Sequence, residues 1–396
     1  MADALASRRA FVVVADACGA GALPDAADYG DEGASTLAHV ARAVGGLRLP
    51  VLERLGLGSI LPLEGVAPAA DPVLHGRLAA LGPGKESTTG HWELMGAIAP
   101  APLPTYPDGF PSDVVRALEA ATGGRFICNR PYNGIAAIDD FGAEHLRDGA
   151  LILYTSQDSV LQIAAHVERL PEDELHDVCA AARAVMTGEH AVGRVIARPF
   201  TGAPGAFRRT EGRHDFSVPP PGRTYLDALC DAGVPVHGVG KVTDLFAGRG
   251  IAAAHPGATN ERALRETTAL VRDLQAGLVF TNLVETDQVY GHRKDVHGFH
   301  GALRTIDASV GEWLAALRPG DLLVITADHG CDPAAAHSDH TREHAPLLAC
   351  FAGHGGRRCD GVLADVGASV LRWLTGADAP GLPGTPFSGP AAGAQS

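Results

Sequence analysis

The side chains best suited to chemistry in this chain are aspartates and histidines, each placed just after an apolar run. Asp16 follows the run from Ala10 to Ala15, and Asp287 and His292 lie in ETDQVYGHRKD past Val284. Asp328 and His329 close the segment ITADHG, and His340 sits in SDHTRE. Carboxylates mixed with imidazoles suit a borderline divalent ion such as Mn2+ or Zn2+, not Ca2+, which takes oxygen alone. Six such ligands exceed one tetrahedral site and fit two. Two ions roughly 3.5–4 Å apart can clamp the attacking and leaving oxygens of a phosphoryl transfer. Each residue also has a plainer reading: an Asp at a strand end is commonly a helix cap, and with 18 histidines some fall near Asp by chance. Asp328-His329 directly after LLVIT resists that reading, because burying two polar groups there is costly without partners.

Two further segments carry reactive or charged groups. GPGKESTTGHWE (82–93) is a Gly-rich loop with three consecutive hydroxyls, Ser87, Thr88 and Thr89. Metal coordination lowers a hydroxyl pKa, so one of them could be a nucleophile. The plainer alternative is a helix N-terminus, with Ser or Thr as cap and Glu93 nearby. Lys85 lacks the glycine spacing of a Walker phosphate loop. In GRVIARPFTGAPGAFRRTEGRHD (193–215), Arg194, Arg198, Arg208, Arg209 and Arg213 meet few acids. That local excess suggests anion binding, since the guanidinium fork matches phosphate oxygens; a solvated basic loop is the ordinary alternative.

The elements that must position these groups read as α/β. AFVVVA (10–15), LILYT (151–155), LVFTNLV (278–284) and DLLVITAD (321–328) are short, β-branched apolar runs typical of strands buried on both faces. Between the last two, Leu303, Ile306, Val310, Trp313, Leu314 and Leu317 share one helical stripe, closed by Pro319-Gly320. Strand, helix, strand implies a right-handed crossover and a parallel sheet, whose ligands bind outside the carboxyl ends of the strands. Proline clusters at 100–107 and 219–222 bracket a segment of domain size, so a core of 1–97 and 220–396 with an inserted domain over 98–219 is expected, two unrelated surface loops being the plainer alternative. The Gly-, Pro- and Ala-rich tail 376–396 is expected to be mobile.

Composition bounds the rest. With 396 residues, 46% of them hydrophobic, the chain can bury a large core. Lys plus Arg number 32 against 46 Asp plus Glu, a net charge of 32 − 46 = −14, which argues against a general nucleic-acid or membrane-surface binder. A phosphorylated small substrate needs only a local cationic pocket. Seven widely spaced cysteines without a C-x-x-C pair fit a reducing compartment. The apolar stretch after Arg8-Arg9 is too short for a signal core, and no run reaches the length of a membrane span. A cytoplasmic protein is expected.

The motifs together resemble the phosphopentomutase family of the alkaline phosphatase superfamily. ADACGAGALPDAADYGDEGASTLAHVA, GKESTTGHWELMG, YTSQDSVLQIAAH, VGRVIARPF, TNLVETDQVYGHRKD and TADHGCDP with DHTRE carry the resemblance, in order from about residue 10 to 375. It implies an alkaline-phosphatase-like α/β core with a mainly parallel central sheet flanked by helices, and an inserted α+β cap. It also implies interconversion of ribose 1-phosphate and ribose 5-phosphate, and of the 2-deoxyribose pair, with two Mn2+ ions and a sugar bisphosphate as primer. Asp287, His292 and His340 would hold one ion; Asp16, Asp328, His329 and the nucleophile would hold the other. The family nucleophile is threonine; here its position is Ser87, so a phosphoserine enzyme is expected. Ser156, Asp158, Val160, Arg194, Arg209 and Lys241 match positions that hold the sugar phosphate. The cap loop NRPYNGIAAI (129–138), Glu285-Thr286 and Glu86 depart from the family pattern near where a sugar would lie. They raise the alternative of a mutase specialised for another pentose phosphate; a metal-dependent phosphatase on the same core is a further one. A non-catalytic sugar-phosphate binder is the third.

Overall fold

The computed structural model describes residues 7–387 apart from 157, 258 and 354. In chain order the strands are β1 (Arg9–Ala15), β2 (Leu74–Ala79), β3 (Phe126–Pro131), β4 (Leu151–Thr155), β5 (Val160–His166), β6 (Arg194–Thr201), β7 (Arg208–Arg209), β8 (His214–Ser217), β9 (Val236–Val239), β10 (Ala253–His255), β11 (Gly277–Leu283), β12 (Asp321–Thr326), β13 (Ala345–Cys350) and β14 (Gly361–Val362). By contacts the chain divides into Met1–Pro102 with Pro220–Ser396, and Leu103–Pro219. The first division falls within the PAPLPTYP run, at Leu103, where the sequence expectation drew it at 98.

The larger unit is built on an eight-stranded sheet in the order β10-β9-β11-β1-β12-β13-β2-β14. Every pairing is parallel except β12–β13 and β13–β2, so the sheet is mainly parallel. Every residue of β1, β11 and β12 is buried, which is why these strands read as continuous apolar runs. The helix Val296–Ala316 joins β11 to β12 and buries Leu303, Ile306, Val310 and Trp313, while β1 lies between those two strands. At the amino end, Arg9 pairs with Asp321 across the β1–β12 register and donates to both its carboxylate oxygens. The parallel arrangement sends the carboxyl ends of β1, β9, β11 and β12 to one edge. Asp16, Lys241, Asp287 and Asp328 all follow those ends.

The inserted unit is α+β. Its mixed sheet runs β3-β4-β5-β6-β7, with β8 also paired to β6. One face packs on the helices Ser112–Thr122 and Glu172–Val185 through Leu118, Leu153, Ile163, Leu175 and Cys179. The other packs Ile152, Tyr154, Ala164 and Phe200 against Ala137 and Ile138 of the helix Gly134–Asp148.

The tail differs in part from expectation. Over 376–387 it is tied to the larger unit: Thr385 N donates to Asp365 Oδ1 (2.6 Å), Phe387 N to Ser369 Oγ (2.8 Å), and Phe387 is buried. The acceptors at the start of the helix Asp365–Thr375 supply the partners that composition does not reveal. Residues 388–396 of the expected mobile tail lie outside the described residues.

Candidate metal centre

Three strand ends and one helix end deliver the reactive groups. Ala17, at φ 61°, turns the chain sharply after β1 and donates from its amide to Asp328 Oδ1 (3.2 Å), which sets Asp16 and Asp328 side by side. After β11 the chain makes a π-helical turn, Thr286–Gly291, closed by His292 N donating to Asp287 O (3.2 Å). Such wide turns recur at functional sites; here the turn directs Asp287 and His292 to the same point. His292 Nδ1 is hydrogen-bonded with Ser338 O (2.7 Å), and Nε2 lies 3.3 Å from Asp287 Oδ1. His340 Nε2 approaches the same oxygen at 3.4 Å.

Ser87 is the first residue of the helix Ser87–Leu94. Neither Ser nor Thr caps it. Glu86 does, accepting from the amides of Thr88 (2.8 Å) and Thr89 (3.2 Å). Glu93 accepts from the amides of Leu81 and Gly82, pinning the preceding loop. Ser87 Oγ therefore has no capping duty; it donates to Asp16 Oδ1 at 3.1 Å and lies 3.1 Å from His329 Nε2. The helix approaches so closely that a Cβ on Gly90 would stand 2.7 Å from Asp328 O.

The ligand atoms form three groups whose members lie within 4.8 Å of one another: Asp16, Asp328 and His329; Asp287, His329 and His340; and Asp287, His292 and Cys331. His292 and His340 thus share the Asp287 carboxylate but fall in different groups, and His329 belongs both to the group of His340 and to that of Asp16 and Asp328. Burial raises the Asp16 carboxyl, reinforced by Asp328. At Asp328 burial pushes upward too, but His329 and His91 outweigh it and hold the group below the usual range. Burial likewise opposes charge on Asp287, yet His292 and His340 hold it well down. His329 is held well above the ordinary imidazole value despite burial, by Asp328 and Asp16.

Asp287 Oδ1 and Asp328 Oδ2 are buried with no well-directed hydrogen bond, although imidazole nitrogens stand within ion-pair range of both. Distance without direction is what a carboxylate oxygen shows when the group it faces is a cation instead of a donor hydrogen. With nitrogen and oxygen donors converging, these residues fit divalent ions.

Behind these groups stand residues that the sequence did not single out. His91 Nδ1 lies 2.8 Å from Ser87 O and 3.0 Å from Asp328 Oδ2, and Asn282 Nδ2 donates to Asp16 Oδ2 (2.7 Å). Asp31, buried, accepts from Lys85 Nζ (3.0 Å) and Arg342 N (2.8 Å), and its other oxygen bonds His337 Nε2 (2.8 Å). Arg342 also donates to Gly84 O (2.8 Å). This network ties the loop before Ser87 to the segment carrying His340. Asn282, a polar residue inside a buried apolar strand, was the one visible signal.

In the inserted unit, Ser156 and Asp158 occupy the turn between β4 and β5, where Asp158 N donates to Ser156 Oγ (3.3 Å). Val160 is buried, its carbonyl accepting from Thr155 Oγ1 (2.6 Å), so it supports that turn and presents no side chain for a substrate contact. Arg194 faces Val160 across the β5–β6 register and donates to Asp215 Oδ2 (3.4 Å). Asp215, one of the few acids of the basic segment, also takes both ends of Arg213. Arg198, one of the five arginines of the basic segment, is pushed down to about 10 by burial and by Arg213, and stays charged at neutral pH. Arg209 lies against Gly134, where a Cβ would fall 1.9 Å from its Nη2 and 2.7 Å from the Tyr154 hydroxyl, itself buried without a hydrogen-bond partner. Lys241, in the larger unit, is the N-cap residue of the short helix Val242–Leu245 after β9.

The model of the Metalloenzyme superfamily matches residues 8–376. A phosphopentomutase of Carboxydothermus hydrogenoformans is 50% identical over 86% of this chain and 88% of its own. One from Anaeromyxobacter sp. is 48% identical over 93% and 96%. The chain belongs to the phosphopentomutase family. A structure of Leishmania mexicana phosphoglycerate mutase aligns at TM-score 0.46 and 15% identity, covering 95% of this chain and 96% of that one. For a phosphopentomutase-family chain, the departures at Glu86 and Thr286 now have local explanations. Glu86 caps the helix of Ser87, and Thr286 is buried with its hydroxyl on Leu283 O (3.1 Å). In the cap loop, Asn133 caps the helix Gly134–Asp148, and Ile135 is 60% exposed.

Proposed function

We propose that this chain is a phosphopentomutase that interconverts ribose 1-phosphate and ribose 5-phosphate, and the 2-deoxyribose pair. The observation that carries the reading is Ser87 Oγ, 3.1 Å from both Asp16 and His329, beside buried carboxylate oxygens without directed partners. Asp287, His292 and His340 would hold one divalent ion and Asp16, Asp328, His329 and Ser87 a second, Mn2+ on this reading; bound there, they supply Lewis-acid stabilisation of charge on phosphoryl oxygens.

The chain's own residues do the rest. Phosphorylated on Oγ, Ser87 gives up its phosphoryl group to the free hydroxyl of the sugar monophosphate. The Ser87 O–P bond breaks, the sugar O–P bond forms, and the proton of the sugar hydroxyl passes to the oxygen left on Ser87. The resulting bisphosphate turns and returns its other phosphoryl group to Ser87, so a trace of bisphosphate primes the enzyme. His91 and Asn282 hold Asp328 and Asp16 in place, and Glu86, by capping the helix, leaves the Ser87 hydroxyl to face Asp16 and His329. In the inserted unit Arg194, Arg198 and Arg209 suit phosphate oxygens, with Ser156 and Asp158 as further polar groups; in the larger unit Lys241 is a further cation suited to phosphate.

The exposed Ile135, at the start of the helix beside Arg209, favours a second reading in which the preferred pentose phosphate differs from ribose. All seven cysteines are unpaired, which supports a cytoplasmic setting. Among the described residues no helix is long and apolar enough to cross a membrane.

The test is turnover with Mn2+ on ribose 1-phosphate and 2-deoxyribose 1-phosphate, following both the 5-phosphate and free phosphate. Isomerisation with little free phosphate, loss of turnover in Ser87→Ala, and phosphate mapped to Ser87 are expected. Mostly free phosphate would make the protein a phosphatase, and an active Ser87→Ala protein would remove the nucleophile assignment.

A further inference from the structure

β5 is buried along its whole length, yet Gln162 stands in it among Leu161, Ile163 and Ala164, and is itself only 6% exposed. A side-chain amide in such a place costs free energy unless it is bonded. Its bond is to a cation: Arg198 Nε donates to Gln162 Oε1 (3.0 Å). The register brings the two together. β5 and β6 pair Gln162 with Ile196 and Ala164 with Arg198, so alternation puts Gln162 and Arg198 on one face of the sheet. Tyr154 lies opposite Gln162 across the β4–β5 register, and its hydroxyl is buried without a hydrogen-bond partner. Burial pushes that phenol up, while the guanidinium groups of Arg198 and Arg209 oppose the rise.

A guanidinium carries five N–H donors in a planar fork. Fixed at Nε, it presents both terminal nitrogens in one direction, the geometry that takes two phosphate oxygens at once. The neighbouring arginines are engaged differently. Arg213 gives Nε and Nη2 to Asp215, and Arg194 gives Nη1 to the same carboxylate. Those contacts fix the side chains but offset their charge. We propose that Gln162 is a positioning residue: it aims the Arg198 fork at the substrate phosphate and, being neutral, leaves the guanidinium its full charge. The inference rests on the mutase reading above. It also accounts for Tyr154, since a phosphate oxygen on this face is an acceptor of the kind its hydroxyl lacks.

Steady-state kinetics on ribose 1-phosphate test the role. Gln162→Met keeps the volume and removes the acceptor, so KM should rise on the order of tenfold, the worth of one charge-assisted contact, with kcat nearly unchanged. Gln162→Glu keeps an acceptor but sets a carboxylate on Arg198; KM should rise at least as far, and this variant decides the matter if Gln162→Met does not fold. The double variant separates positioning from structure. Because Gln162 acts through Arg198, adding Gln162→Met to Arg198→Met should raise KM no further. A native KM in the Gln162 variants, or a double variant whose KM rise is the product of the single ones, would overturn the role of Gln162. So would a loss of stability in urea with no change in KM. Each of these outcomes leaves the mutase reading standing, whereas a native protein that isomerises neither pentose phosphate would overturn both.

Discussion

Gly90 offers the sharpest test of how the nucleophile is positioned. A methyl group there would stand 2.7 Å from Asp328 O and 2.8 Å from Asp328 Cβ, and the neighbour that must give way is backbone. Carbon atoms in contact sit about 3.5–4.0 Å apart, so Gly90→Ala forces the helix Ser87–Leu94 and Asp328 apart by about 1 Å. Overpacking of this kind costs about 1–3 kcal/mol, and alanine returns about 1 kcal/mol of helix propensity. The net loss of stability is therefore at most about 2 kcal/mol, too little to unfold the chain. Turnover is another matter, because a 1 Å misplacement of reacting groups costs on the order of 100-fold. Gly301, in the helix Val296–Ala316, has nothing within 4 Å of its would-be Cβ. Gly301→Ala should gain up to about 1 kcal/mol and leave turnover unchanged. Urea unfolding and isomerisation assays on both variants decide the matter. Near-native turnover in a folded Gly90→Ala protein would refute the claim that this close approach sets Ser87 against Asp16 and His329.

Other substitutions separate the site's supports. Gly134→Ala places a methyl group against the Arg209 guanidinium and the buried Tyr154 hydroxyl, so it should cost about 1–3 kcal/mol of stability by urea unfolding and raise KM on the order of tenfold, the worth of one lost charge-assisted contact; an unchanged KM would remove Arg209 from substrate binding. Asp31→Asn weakens the bonds from Lys85 and Arg342 and should lower kcat more than it raises KM, with a stability loss of about 1.5–3 kcal/mol by urea unfolding; an unaltered kcat would make the network structural only. Asp321→Ala leaves the buried Arg9 guanidinium uncompensated and should cost about 3–5 kcal/mol. Chelation of divalent ions should lower the melting temperature of the native protein, since an ion at 100 times its Kd stabilises by about 2.7 kcal/mol; an unshifted melting curve would argue that the buried carboxylates are satisfied without one.

The sequence made the core legible because its central strands are buried on both faces. Runs such as AFVVVA and LLVIT can be little else, and in a parallel sheet their carboxyl ends fall together. That is how Asp16 comes to one edge with Asp287 and Asp328, which lie hundreds of residues further along the chain. What periodicity could not show was which side chains stand behind them. Glu86 reads as a substitution beside the nucleophile and turns out to be the helix cap. Thr286 reads as a specificity change and is buried beneath the turn, and Val160 packs in a core. In each case the side chain's direction is set by a tertiary contact that no local pattern encodes. Asp215 shows the same for charge: counted along the chain it is one of two acids among five arginines, yet in space it takes Arg194 and Arg213 and leaves Arg198, Arg208 and Arg209 with the greater surplus to offer. A phosphate should therefore depend more on Arg198 and Arg209 than on Arg194, an ordering that only the folded chain reveals.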